Sequence, residues 1–205
     1  MNRFFITGIG TNVGKTVVSA ILCEAMQADY WKPIQCGIEE GRDKDTVKKL
    51  LSNTKSVCHD ETYLLQMPAS PNIAAKKEGI KITMDSLQLP QTLNKICIEG
   101  AGGPMVPIND SYFVIDIAKQ NGLAVVLVIN HYLGCINHSL LAIDYLLNNN
   151  YKLHGLILNG DFDEDVKNSI INYKRIPVLG EIPHTDKPDK KFVREQASKI
   201  NISLL

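Results

Sequence analysis

The sequence predicts an α/β fold: a mostly parallel sheet flanked by helices on both faces, in three α/β/α layers. Three observations carry that expectation. Short apolar runs alternate with longer stretches of helical periodicity, the pattern of strand–helix units. The run 123–130 (LAVVLVIN) is apolar throughout, as a strand covered on both faces must be. A glycine-rich turn, 8–16 (GIGTNVGKT), joins the first apolar run to the first helical pattern.

Taken in order, residues 3–7 (RFFIT) form the first buried strand. Residues 15–28 then put Val18, Ile21, Leu22, Ala25 and Met26 on one helical face. A second short strand is expected at 30–34 and a helix at 45–51. Another helix, 72–78, starts after Pro71, where a missing N–H costs least. Residues 95–99 (KICIE) read as a strand ending in GAGG, followed by a helix at 114–120. After the strand at 123–130 come a helix at 136–147, a strand at 155–159, a helix at 164–173 and a strand at 178–182. The charged stretch 186–194 reads as a solvated loop and helix start. No internal repeat, low-complexity tract or linker divides the chain, so residues 1–205 are expected to form a single domain.

Composition narrows the function classes. Lys+Arg and Asp+Glu both number 22, so the net charge is zero. No global field gathers nucleic acid or an acidic membrane surface, and neither is expected as a partner. An anionic ligand must be held by a local site. The five cysteines are scattered without a C-x-x-C and are odd in number, which suits reduced thiols in the cytoplasm better than disulfides or zinc. The opening MNRFFITG runs straight into the glycine-rich turn, leaving no room for a leader, and no apolar run is long enough to span a membrane.

The turn itself carries the strongest chemistry. Gly8, Gly10 and Gly14 permit backbone conformations that a Cβ obstructs. Its inward N–H groups and the positive end of the next helix make an anion nest. Lys15 is expected to reach the outer phosphates of a nucleotide, and Thr16 to offer its hydroxyl to Mg²⁺. The chain is therefore P-loop NTPase-like, with one departure: Ile9 stands where G-x-x-x-x-G-K-[ST] begins with glycine.

Ligands of open parallel sheets bind beyond the C-terminal strand ends, and several polar residues sit there. Lys32 follows Tyr30 and Trp31 and suits a second cation, or a plain edge lysine. Glu99 ends an apolar strand before Gly100, Ala101, Gly102 and Gly103, and suits a metal carboxylate. Asp45 lies in a loop where Asp43 and Glu39 are equally acidic neighbours. Asn159 ends a strand in NGD, where an amide matches an adenine edge but a turn-forming asparagine is the commoner explanation. Residues 133–138 (LGCINH) start a helix whose free N–H groups offer a second anion site or an ordinary cap. The five histidines form no metal-ligand pattern.

Together these motifs resemble the dethiobiotin synthetases. The resemblance covers nearly the whole chain and rests on FITGIGTNVGKT (5–16), WKPIQCG (31–37), ASPNIAA (69–75), IEGAGGPMVPI (98–108), LGCINHSLL (133–141) and LGEIP (179–183). It implies an ATP-dependent, Mg²⁺-dependent carboligase of biotin synthesis acting on 7,8-diaminononanoate and CO₂. One amine captures CO₂ as a carbamate, whose oxygen attacks the γ-phosphate. The second amine closes the cyclic urea and expels phosphate. By resemblance, Lys32 is the catalytic lysine and Lys15 the second cation. Thr16, Asp45 and Glu99 match the Mg²⁺ ligands. Asn12, Val13, Gly14, Lys15, Thr16 and Val17, with Glu99, Gly100, Ala101 and Gly102, match the phosphate-contacting segments. Asn159, beside Gly160, matches the adenine-reading asparagine. Cys36 and Gly37 lie with Lys32 where the diamine binds.

The resemblance further implies a homodimer with its active site at the interface. Residues Gly134, Cys135, Ile136 and Asn137 of the second subunit would then receive the substrate carboxylate. Two departures stand out. Asn12 replaces a common acidic residue, and Cys36 replaces a common serine, exchanging a hydroxyl contact for a weaker thiol. The segment after LGEIP is generic, so base contacts there are not carried over. An alternative of another class is a partition- or division-type P-loop switch ATPase acting through partner binding. Such proteins usually carry an extra lysine early in the loop, and residues 8–14 contain none.

Overall fold

The computed structural model describes residues 3–39, 41–201 and 203. In chain order its elements are β1 (Arg3–Gly8), α1 (Lys15–Met26), β2 (Asp29–Trp31), β3 (Ile34–Cys36), α2 (Asp43–Leu50), β4 (Tyr63–Leu65), α3 (Pro71–Glu78), β5 (Ile96–Glu99), α4 (Asp116–Gln120), β6 (Ala124–Asn130), α5 (Cys135–Asn148), β7 (Lys152–Asn159), α6 (Glu164–Lys174), β8 (Val178–Ile182) and α7 (Lys190–Ala197). The main sheet has six strands in the order β2-β5-β1-β6-β7-β8, all parallel. The expected three-layer α/β/α architecture is present. Among the described residues, no helix is long and apolar enough to cross a membrane.

Alternation along the central strands divides the core in two, as successive side chains point to opposite faces. Phe4, Ile6, Cys97, Val126, Val128 and Ile157 join Val18, Ile21, Leu22, Val193 and Ala197 under α1 and α7. Phe5, Ile96, Ile98, Val125, Leu127, Ile129, Leu156 and Leu158 join Ile143 and Leu146 under α5. β1 lies between β5 and β6. Its C-terminal turn is therefore flanked by the end of β5, which carries Glu99, and the end of β6.

Besides α4 starting at Asp116 rather than 114 and β7 at Lys152 rather than 155, the structure departs from the expected elements at three points. The strand expected at 30–34 is two: β2 stops at Trp31, and β3 leaves to pair with β4 in a separate two-stranded parallel sheet. Pro33 explains the break. It has no N–H to continue the ladder, and its carbonyl instead accepts from Thr62 and Tyr63 N–H at 3.0 Å each. α2 begins at Asp43 rather than at 45, with Arg42 still extended before it. α7 begins inside the stretch read as loop and helix start, as expected, and runs past it to Ala197. Asp189 caps it, accepting from Phe192 N–H at 2.7 Å, and Val193 and Ala197 dock it on the core. Of the C-terminal tail, Ile202, Leu204 and Leu205 lie outside the described residues.

Candidate active site

The phosphate loop is shaped by two left-handed residues. Gly14 (φ 87°) and Asn12 (φ 58°) both adopt positive φ, which glycine reaches freely and asparagine tolerates. A Cβ on Gly14 would sit 2.2 Å from Asn159 Nδ2, and one on Gly8 2.3 Å from Val13 Cγ2. Gly10 has no such constraint: the nearest atom to its would-be Cβ is 4.0 Å away. Val13 is buried beneath the loop. Lys15 opens α1 and donates to the Gly10 carbonyl at 2.9 Å. Burial drives the Lys15 pKa down to about 8; Glu99 resists the fall, Lys32 adds to it and Asp43 resists it.

Facing α1 is a compact charged centre. On β5, Cys97 points under α1, so alternation turns Glu99 to the same side. Glu99 is only 1% exposed. Its Oε2 accepts from the Tyr30 hydroxyl at 2.9 Å. Its Oε1 lies 3.1 Å from Thr16 Oγ1 and 3.3 Å from Lys32 Nζ. Asp43 closes the ring: its Oδ1 lies 2.9 Å from Thr16 Oγ1, and its Oδ2 pairs with Lys32. Burial opposes the charge on Lys32, but Glu99 and then Asp43 more than offset it and hold the ammonium above the ordinary lysine value. Burial, with the Glu99 charge beside it, keeps the Tyr30 phenol protonated well above its ordinary range.

This centre forms one wall of a cleft of about 770 Å³. Thr11, Asn12, Gly14 and Val17 line it from the loop side, Ala101 and Gly102 from the turn after β5, and Cys36, Gly37 and Ser70 complete the lining. Burial pushes the Cys36 thiol up to about 11, so it faces the cleft as a neutral group. Two cations, two carboxylates and a hydroxyl thus meet an anion-binding loop. Thr16, Asp43 and Glu99 offer hard oxygens on one side, a set suited to a small divalent cation completed by phosphate and water oxygens.

Residues 2–191 match the model of a family described as an AAA domain. The chain is 43% identical over 201 residues to the ATP-dependent dethiobiotin synthetase of Cytophaga hutchinsonii, covering 98% of this chain and 97% of that protein. It is 44% identical over 196 residues to the enzyme of the same name from Christiangramia forsetii, covering 96% and 94%. This chain belongs to the dethiobiotin synthetase family. Solved structures share the fold at much lower identity. The septum site-determining protein MinD of Pyrococcus horikoshii, complexed with Mg-ADP, gives a TM-score of 0.60 at 12% identity, covering 98% of this chain and 96% of that one. A ParA-family ATPase from Chlorobium tepidum gives 0.60 at 9%, covering 97% and 99%.

Set against the residues that the synthetase resemblance singled out, the structure brings Lys15, Thr16, Lys32 and Glu99 together and differs at other positions. Asp45 is not in the cleft. It pairs with Arg42 at 2.9 Å, and its side chain is 45% exposed. Asp43 occupies the place expected of it. The reason is the helix register: with α2 starting at Asp43, residues two apart point about 200° apart, so only one of the two faces Thr16. Asn159 does not line the cleft; its Nδ2 donates to the Val13 carbonyl at 2.9 Å and braces the loop from behind. Gly160 turns away at φ 111°, its N–H on the Ile182 carbonyl at 2.8 Å. Gly100 packs against Phe5 and donates to Ile6 O at 2.9 Å, supporting the wall rather than lining it. Gly134, Cys135, Ile136 and Asn137 begin α5 away from this chain's own cleft.

Three residues were missed in the sequence. Asp43 was visible only as an acidic neighbour. Tyr30 stands two residues before Lys32, a spacing that puts both on one face of an extended chain, and that was its one available signal. Gln35 is 5% exposed. Its Oε1 accepts from Asp43 N–H at 3.2 Å and its Nε2 donates to Gly37 O at 3.0 Å, so it pins the start of α2 to the cleft wall. Nothing local marks it.

Proposed function

We propose that this protein joins CO₂ to 7,8-diaminononanoate and closes the cyclic urea of dethiobiotin with ATP and Mg²⁺, as a cytoplasmic homodimer. The observation that carries this is the pair of buried ammonium groups, Lys15 and Lys32, flanking two carboxylates at the mouth of a phosphate loop. The chain around them matches synthetases of that name over almost its full length. The reaction accumulates negative charge on a carbamate and a transferring phosphoryl group. Such chemistry is accelerated chiefly by placing fixed positive charge where the negative charge develops.

Each residue has a task in this scheme. The N–H groups of the loop and of the start of α1 bind the nucleotide phosphates. Lys15 exchanges the Gly10 carbonyl for the outer phosphates. Lys32 neutralises the carbamate and the phosphoryl oxygens and holds them in line. Thr16, Asp43 and Glu99 would hold Mg²⁺, which when bound neutralises the phosphates of ATP. Cys36 and Gly37 border the diamine, and the start of α5 in the second subunit takes its carboxylate. Exposed Leu133 (105%) and Leu141 (62%) give that region the apolar surface a subunit contact uses. The free cysteines suit a reducing compartment.

The test is direct. Protein mixed with diaminononanoate, bicarbonate and Mg·ATP yields the cyclic urea, ADP and phosphate in equal amounts. Folded protein that forms no urea under these conditions refutes the assignment. ATP-dependent binding to DNA, membrane or a protein partner without urea formation would instead favour the switch-ATPase alternative, which the MinD and ParA likeness supports at the level of fold alone.

A further inference from the structure

We infer that Tyr30 is a positioning residue: its buried hydroxyl holds one oxygen of Glu99 so that only the other is offered to the nucleotide's metal. The inference rests on the metal–nucleotide reading above. Strand pairing produces the contact. Tyr30 registers with Cys97 on the neighbouring β5, both side chains lie under α1, and Glu99 follows two residues later on that face. A tyrosine is long enough to span that one step. Tyr30 is 0% exposed and Glu99 1%, so no bulk water competes for either group.

The two oxygens of Glu99 are thereby given different work. Oε2 is held by Tyr30 at 2.9 Å, while Oε1 faces Thr16 Oγ1 at 3.1 Å and Lys32 Nζ at 3.3 Å. Turning the carboxylate so that neither oxygen meets Tyr30 would strand a buried hydroxyl without its acceptor, which is costly. Glu99 is in this way fixed to present one oxygen, on the Thr16 side. The aromatic ring packs in the core under α1, a role phenylalanine fills equally well. The hydroxyl can therefore be tested apart from the packing.

The experiment is a Mn²⁺ titration of the full-length protein with a non-hydrolysable ATP analogue, read by the rise in thermal midpoint and by the electron spin resonance of free Mn²⁺. Tyr30→Phe is expected to bind the metal-free analogue within about twofold of wild type. It should need about tenfold more Mn²⁺ for half saturation, equivalent to about 1.4 kcal/mol, the low end for a hydrogen bond to a charged group. In a Glu99→Gln background the same change is expected to add almost nothing, because Tyr30 acts through the carboxylate. An unchanged Mn²⁺ midpoint in Tyr30→Phe, or an equal tenfold shift in the Glu99→Gln background, overturns the inference. If wild-type protein shows no metal effect on nucleotide binding, it is the metal–nucleotide reading that fails. Should Tyr30→Phe not fold, 3-fluorotyrosine at position 30 keeps the hydroxyl and alters its acidity. A shifted midpoint then supports the assignment and an unmoved one overturns it.

Discussion

Asp43→Asn and Asp45→Asn separate the site in the structure from the one that the synthetase resemblance implies. The Asp43 carboxylate meets the Thr16 hydroxyl at 2.9 Å and the Lys32 ammonium. Hydrogen bonds to charged groups contribute about 1.5–3 kcal/mol each. Asparagine retains one acceptor, so about half of the paired contribution is lost, about 3 kcal/mol at the upper end. At about 1.4 kcal/mol per tenfold, kcat/KM should fall roughly a hundredfold, with a higher Mg²⁺ requirement. Asp45 pairs with Arg42 at the surface, where solvent screens the attraction, and Asp45→Asn should stay within about twofold of wild type. The assay is steady-state urea formation over a Mg²⁺ series, with the thermal midpoint as a check on folding. If Asp45→Asn loses as much activity as Asp43→Asn, α2 is set differently in the working enzyme and the argument from helix register is wrong.

Other expectations are independent of that one. Lys32→Ala should keep nucleotide affinity within a few-fold while kcat drops by about 10²–10³, the scale for losing one group that stabilises developing charge; near-normal turnover removes Lys32 from its role. At the far end of β2, buried Asp29 accepts from Thr92 at 2.7 Å, Val57 N–H at 2.9 Å, Asn94 at 3.0 Å and His59 at 3.1 Å. Burial alone would raise its pKa, but these donors hold it below the ordinary 3.8. The carboxylate therefore stabilises the fold above that value, and the contribution is lost as pH falls through the lowered pKa. Asp29→Asn should cost about 2–4 kcal/mol at neutral pH and flatten the acid limb of stability in urea unfolding; parallel acid limbs for the two proteins would contradict it. Leu133→Glu should give a monomer in sedimentation and abolish turnover without touching the cleft of its own chain. A fully active monomer would rule out a site completed by the second subunit.

Much of this site is written in local signals. A P-loop needs its glycines, lysine and threonine at fixed offsets between a strand and a helix, so GIGTNVGKT declared itself. Lys32 and Glu99 stand at the ends of apolar runs, where parallel sheets bind ligands, and the apolar runs themselves disclosed the layers. Even there the structure reassigned the parts: Gly14 and Asn12, not Gly10, carry the strained turn. What stayed hidden depends on distant parts of the chain meeting. The choice of Asp43 over Asp45 follows from where α2 starts, and Gln35, across an intervening loop, helps to set that start. Tyr30 reaches Glu99 only because β2 lies beside β5, strands that are 69 residues apart at this contact. The sequence by itself determined the layered fold, the phosphate loop and the charges brought to its rim. Only the tertiary structure decided which carboxylate faces Thr16 and which hydroxyl steadies Glu99, because strand order and helix register are set by packing and not by neighbours in the chain.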